Sequence, residues 1–339
     1  MKHTVITALA GLFILAGFSA ESRAAGAIEL TYANFPPSST FPCVQMERWA
    51  KELEKRTGGK VKIKTFPGGT LLQAKNIFDG VVAGTADIGN FAMSYQPGRF
   101  PVSEALDLPM GFSSARAGSL ALYDLVTAKK PKEFADVKII TLFTAPPADI
   151  MSIKPINKLS DLKGMELRVS GTGADILKML GGVPVAMPQS DTPEALQKGI
   201  VKGAVSSLEV LKDMNYAAYC PYTVNANLYL VSFAVVMNKK KYDGLPADVK
   251  KAIDDLSREQ AEWTGTYVDN HVSESIEWAK KTSKHSNKSF TPAEMAQIEK
   301  TVKPVLDDYE KRVAKKGIDG RALVEEVKKL KAKYDKKSK

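Results

Sequence analysis

Residues 164–188, GMELRVSGTGADILKMLGGVPVAMP, hold the side chain whose chemistry is easiest to read from its neighbours. Arg168 ends a short apolar run and is followed at once by Ser170, a glycine-rich turn and a predicted helix. A guanidinium at a strand end beside a helix N-terminus is suited to gripping a carboxylate. Its planar fork makes two parallel hydrogen bonds, and nearby backbone N–H groups favour negative charge. A lone arginine is more often a surface charge, so the surrounding chain has to decide.

Catalytic alternatives have weaker support. Beyond the N-terminal leader the only histidines are His271 and His285, with no Gly-x-Ser-x-Gly turn to supply a nucleophile. Paired carboxylates for glycoside cleavage stay open, since they meet only in space. His271 has Glu274 one helical turn on, yet no cysteine or further ligand joins either histidine at metal-site spacing. The expectation is a protein without catalytic residues, metal or cofactor, with a secreted hydrolase as the enzyme alternative.

The ends of the chain bound the setting. Lys2 and His3 precede an apolar run over residues 5–18, then small residues through Ser19, Ala20, Ser22, Ala24 and Ala25. This reads as a secretory signal peptide over residues 1–25, cleaved between Ala24 and Ala27. The run is shorter than the ~20 residues a membrane span needs. Roughly 310 residues remain, enough for two domains of ~100–200 residues each. Apolar content of 44% and charged content of 25% describe a globular chain. The net charge of +10 is concentrated at the end, where residues 328–339 hold seven lysines against Asp335. Such runs are usually solvated faces, so no nucleic-acid partner is expected. Cys43 and Cys220 can close one long-range disulfide in an oxidising compartment, but nothing in the sequence sets their separation.

The elements that must position Arg168 follow an α/β rhythm. Strands are predicted at 28–33, 61–66 and 86–91, with helices at 43–57 and 74–83 between them, the pattern of a parallel sheet with right-handed crossovers. After Ala145-Pro-Pro147 a second unit has strands at 149–153, 165–169, 183–186 and 203–207, and helices at 174–180 and 193–198, the last capped by Thr192. Residues 228–237 read as a long strand returning to the first unit, so two crossings make a hinge. A long helix spans 246–282, Thr291-Pro-Ala-Glu294 is a capping-box start, and 321–334 is a basic last helix. Trp263 and Trp278 belong to a helical stripe read as structural.

The order of Thr65-Phe-Pro-Gly-Gly-Thr-Leu71, Gly84-Thr-Ala-Asp-Ile-Gly89, Leu159-Ser-Asp-Leu-Lys-Gly-Met-Glu-Leu-Arg168, Gly181-Gly-Val-Pro-Val-Ala-Met-Pro188, Ala195-Leu-Gln-Lys-Gly199 and Met237-Asn-Lys before Leu245-Pro is specific, although each fragment alone is weak. From about Leu30 to the C-terminus the chain resembles the extracytoplasmic solute-binding proteins of tripartite ATP-independent periplasmic (TRAP) transporters. The resemblance implies a two-lobed, periplasmic-binding-protein-like fold with hinge strands and a long spanning helix. It also implies a periplasmic monomer that delivers its ligand to TRAP membrane permease subunits, and it puts the family's carboxylate-pairing arginine at Arg168. A binding protein serving a membrane sensor would share the fold. The expected division is 26–147 plus 233–262 for lobe I, 148–232 plus 263–290 for lobe II, and C-terminal helices over 291–339.

Two departures from the family pattern narrow the ligand. A second arginine common in sugar-acid and dicarboxylate members is replaced by Ala145-Pro-Pro-Ala148 and Asp149. The segment Asp-Gly-Gln-Glu-Asn-Pro is replaced by Lys202-Gly-Ala-Val-Ser-Ser-Leu-Glu209, with Ser206 or Ser207 near the missing asparagine. The expected ligand is an organic monocarboxylate with an apolar body: an aromatic or branched acid, a 2-oxo acid or an amino acid. Other candidate contacts sit at strand ends and loops: Asn34, Phe35, Ser39, Phe91, Met93, Tyr95, Asn225 and Asn227. Asp149 or Glu209 would meet an ammonium if the ligand is an amino acid.

Overall fold

The computed structural model describes residues 26–335, so the leader read at 1–25 lies outside the described residues. The chain starts with β1 (Ile28–Asn34), α1 (Phe41–Arg56), β2 (Val61–Phe66), α2 (Ile77–Val82) and β3 (Ile88–Ala92), then α3 (Ala115–Lys129) and β4 (Val137–Thr144). Pro42 opens α1 and Lys55 and Arg56 close it, each suited to its end of the helix. Trp49 from α1 meets Tyr32 of β1 edge-on, ring centroids 6.0 Å apart, in the lobe's core.

A second group follows: β5 (Asp149–Ser152), β6 (Glu166–Val169), α4 (Gly173–Met179), β7 (Val183–Ala186), α5 (Thr192–Gln197), β8 (Gly203–Ser206), α6 (Val210–Asp213) and β9 (Tyr222–Asn225). The chain then runs through β10 (Ser232–Asn238), α7 (Lys239–Asp243), α8 (Ala247–Ser283), β11 (Ser286–Ser289), α9 (Pro292–Val302), α10 (Pro304–Ala314) and α11 (Gly320–Asp335). The first sheet has the order β2-β1-β3-β10-β4 and the second β11-β9-β5-β8-β6-β7.

Neither sheet is purely parallel, which corrects the sequence expectation. β1 pairs in parallel with β2 and β3, but β10 is antiparallel to both β3 and β4. In the second sheet β6 is parallel to β7 and β8, and β5 is antiparallel to β8 and β9. The reason is topological: strands that cross between lobes enter from the hinge side, opposite to strands fed by a local helix.

The hinge is stitched by its own backbone. Ala145 N–H donates to Val231, Ala148 N–H to Tyr229 and Leu228 N–H to Ala148, all to carbonyl oxygens. The Asp149 carboxylate accepts from Ala226 N–H at 2.7 Å and Asn227 N–H at 2.9 Å, satisfying donors where the ladder breaks and Asn227 takes φ of 45°.

Helix α8 packs on α1, α3 and β4 of the first lobe and on α6 of the second, spanning both. It crosses α3 so closely that a Cβ on Gly265 would lie 2.5 Å from Arg116 Cα. Four residues on, Asp269 caps α3, accepting from Ala115 N–H and Arg116 N–H at 2.7 and 2.9 Å. The Thr291–Glu294 capping box forms as expected, and Glu294 also accepts from Leu159 N–H of the second lobe. Helix α11 packs on α3. Thr192 does not cap α5: it is the first helical residue, and its hydroxyl contacts the Pro188 carbonyl instead.

Cys43 and Cys220 are both free and buried, so no disulfide joins them. Cys43 lies in α1, its thiol on the Pro36 carbonyl, whereas Cys220 belongs to a separate apolar cluster in the second lobe. Burial pushes both thiols up to about 12.

Candidate functional site

Arg168 occupies the third position of β6, between β7 and β8, in register with Val185 and Ala204. It is only 2% exposed. Nε and Nη2 both donate to the Met187 carbonyl, at 3.0 and 2.8 Å, so the loop after β7 fixes the guanidinium plane. Nη2 also reaches the Tyr95 hydroxyl of the first lobe at 3.5 Å. Among the described residues Nη1 has no hydrogen-bond partner, and no carboxylate pairs with this arginine.

The guanidinium faces a cavity of about 50 Å³ between the lobes. Phe35, Phe41 and Phe233 supply an aromatic wall from the first lobe, with Pro36, Pro42 and Val231 around them. Phe35 stacks parallel to Phe233 at 6.5 Å and meets Tyr95 edge-on at 5.4 Å. The second lobe contributes polar groups: Arg168, Ser170, Gln189, Ser206, Ser207, Glu209 and Asp213. An acid with an apolar body would find a cation on one side and rings on the other.

The lobes touch through side chains as well as the hinge. Gln189 N–H donates to the Tyr95 hydroxyl at 2.9 Å, and the Ser39 hydroxyl donates to the Asp213 carbonyl at 3.1 Å. Gly171, at φ of 52°, comes so near Ser94 that a Cβ there would sit 2.7 Å from the Ser94 Cβ. A second interlobe cavity, about 540 Å³, shares Tyr95 and Ser170 with the first and includes Met93, Ser94, Gly171 and Met187.

Glu209 is 3% exposed, and burial together with Asp213 pushes its carboxyl up to about 7 against the lowering effect of the Ser207 hydroxyl. Asp213 holds His271 of α8 at 2.7 Å through Nε2, which raises the imidazole above its ordinary value.

Of the residues expected from sequence, Arg168, Phe35, Tyr95, Ser170, Ser206 and Glu209 line the first cavity, and Met93 lines the second. The others do not. Asn34 is fully buried, donating to the Pro42 carbonyl and accepting from Phe35 N–H and Asn90 Nδ2, so it braces the loop that presents Phe35. Phe91 packs among Phe78 and Phe100 in the first lobe's core. Ser39 serves the interlobe contact described above. Asp149, Asn225 and Asn227 line a third cavity of about 530 Å³ with Arg116 and Asp269, and Asp149 is spent on the hinge.

Sequence reasoning missed Phe41, Gln189, Asp213 and Phe233. Phe41 and Phe233 carried a usable signal, since Phe41 opens α1 after a loop and Phe233 is the second residue of β10 after the hinge. Asp213 carried none, because its partner His271 is 58 residues away.

Among the described residues no group of His, Cys, Asp and Glu could hold a metal ion, and no helix is long and apolar enough to cross a membrane. The profile of the bacterial extracellular solute-binding proteins, family 7, matches residues 32–312. A TRAP periplasmic solute-binding protein from Desulfovibrio salexigens, solved open with the C-terminus of a symmetry mate in its ligand-binding site, is 50% identical at a TM-score of 0.83. The match covers 92% of this chain and 98% of that one. A TRAP solute-binding protein from Rhodoferax ferrireducens with copurified benzoate is 26% identical at a TM-score of 0.88, over 92% and 100% of the two chains. The 2,3-diketo-L-gulonate-binding periplasmic protein of Escherichia coli is 26% identical over 71% of this chain and 75% of its own length. With a two-lobed fold, a polar and aromatic interlobe cavity and these matches together, the chain belongs to the TRAP transporter family of extracellular solute-binding proteins.

Proposed function

We propose that this protein is exported behind a cleaved signal peptide, captures an organic monocarboxylate in the periplasm and delivers it to TRAP membrane permease subunits. The ligand class is an aromatic or branched acid, a 2-oxo acid or an amino acid. One observation carries the reading: Arg168 is buried at an interlobe cavity, without a carboxylate partner among the described residues, opposite Phe35, Phe41 and Phe233.

A buried cation without a counter-ion is costly, and a ligand carboxylate relieves that cost. The Met187 carbonyl holds the guanidinium plane in advance, so little side-chain freedom is lost on binding. Ligand enters while the lobes are apart, its carboxylate meets Arg168, and closure brings the aromatic wall over its body. Closing excludes water and strengthens the ion pair. The absence of a second arginine at residues 145–149 favours one carboxylate over two.

Isothermal titration of such acids against wild type and Arg168→Ala tests this. The variant is expected to lose about 10²-fold or more in affinity, while Arg168→Lys, charged but without the fork, recovers only part. Full affinity in the alanine variant, or binding of uncharged sugars alone, overturns the assignment.

A further inference from the structure

The cavity has a second pole that the carboxylate anchor does not use. Glu209 Oε1 accepts from the Ser207 hydroxyl at 2.7 Å, but Oε2 is buried without a partner. Four residues on, Asp213 engages His271 through Oδ1, and its Oδ2 is likewise buried without a partner. Glu209 is the N-cap of α6 and Asp213 its last residue, and both line the cavity of Arg168. Asp213 is 4% exposed in its side chain and Glu209 3% overall, so bulk water does not serve these oxygens.

We propose that Glu209 and Asp213 select, among carboxylic acids, those that also carry an N–H or O–H donor, namely an ammonium or a hydroxyl. The inference rests on the reading of Arg168 as the carboxylate anchor and narrows its ligand class.

Asp213 Oδ2, and Glu209 Oε2 whenever its carboxyl is ionised, are open acceptors that need hydrogens, and a hydrocarbon or 2-oxo acid brings none. Such an acid would displace the water able to serve these oxygens and leave them unmet. A site built around unpaired polar groups discriminates strongly against the analogue lacking their partner. The charges around the pole leave room for either donor. Arg168 lines the same cavity, His271 engages Asp213, and Glu274 sits on the far side of His271 at 3.3 Å. An ammonium can give hydrogens to both Glu209 and Asp213, whereas a hydroxyl serves one.

The test is titration of the mature protein with matched acids. One series is 3-phenylpropanoate, 3-phenyllactate, phenylalanine and phenylpyruvate; a second is 4-methylpentanoate with its 2-hydroxy, 2-amino and 2-oxo forms; phenylacetate against 3-hydroxyphenylacetate moves the donor to the ring. In at least one series a donor-bearing acid is expected to bind about 10–100-fold tighter than its parent and 2-oxo forms. Glu209→Gln should shrink that ratio several-fold, with an ammonium losing more than a hydroxyl. Equal or tighter binding of parent or 2-oxo acids in every series overturns the second pole and leaves the Arg168 reading standing. Failure of every acid to bind overturns both. Should Glu209→Gln fail to fold, the wild-type ratios decide alone.

Discussion

Arg168, Glu209 and Asp213 share a cavity, but they bear their burial differently. The arginine is oriented by a carbonyl, whereas Glu209 is pushed up to about 7. The folded protein therefore retains a proton on Glu209 that the unfolded chain has lost between about pH 4.5 and 7, and stability falls as pH rises through that window. Asp149, pushed up to about 6 at the hinge, acts in the same direction. So does His271, whose raised value adds stability below its ordinary 6.5 that is lost as pH rises through the folded value. Glu209→Gln isolates one contribution: its stability should gain on wild type by on the order of 3 kcal/mol between pH ~4 and ~8. Urea unfolding across that range checks this, and parallel curves for the two proteins would refute it. Arg168 was legible in the sequence because strand, turn and helix follow each other locally. Asp213 and His271 were not, since only packing of α6 on α8 joins them.

Among elements, the turn between β6 and α4 matters most for closure. Gly171 adopts a left-handed conformation, and its missing Cβ lets this turn lie against Ser94 of the other lobe. Gly171→Ala should prop the lobes apart and weaken ligand binding about tenfold or more, beyond the ~1–2 kcal/mol of local strain. Small-angle scattering of the ligand-saturated variant should show a larger radius of gyration than wild type. Unchanged scattering and affinity would mean the contact is incidental to closure. Most helices and strands were readable from periodicity and punctuation, with ends displaced by a few residues. Helices α3, α6, α7 and α10 and strands β4, β9 and β11 were not read. β9 and β11 are only four residues each, too short for alternation to show, and they pair with each other only through tertiary register.

At the scale of the molecule, two lobes joined by hinge segments and by α8 meet across a cleft latched by protein groups. Tyr95 is the principal latch, since its hydroxyl accepts from Gln189 N–H and lies near Arg168 Nη2. Tyr95→Phe keeps the ring against Phe35 and removes the hydroxyl. The ligand-free variant is expected to shift toward the open form, by roughly the worth of one hydrogen bond, ~0.5–1.5 kcal/mol, or about three- to tenfold in the equilibrium. Scattering of ligand-free protein, wild type against variant, reads that shift directly. Identical profiles would remove Tyr95 from the latch.

The order of apolar runs, glycine turns and caps determined most of the elements by local chemistry alone, and with them the α/β class, the strand end that carries Arg168 and the family resemblance. Tertiary structure decided what periodicity cannot encode: the antiparallel entry of β10 and β5, the separation of Cys43 from Cys220, and the removal of Asn34, Phe91 and Asp149 from the cavity. It also brought Phe41, Phe233 and Asp213 around Arg168. The physical reason is that a local pattern specifies a residue's face on its own element, whereas a cleft is made of faces brought together across long stretches of chain.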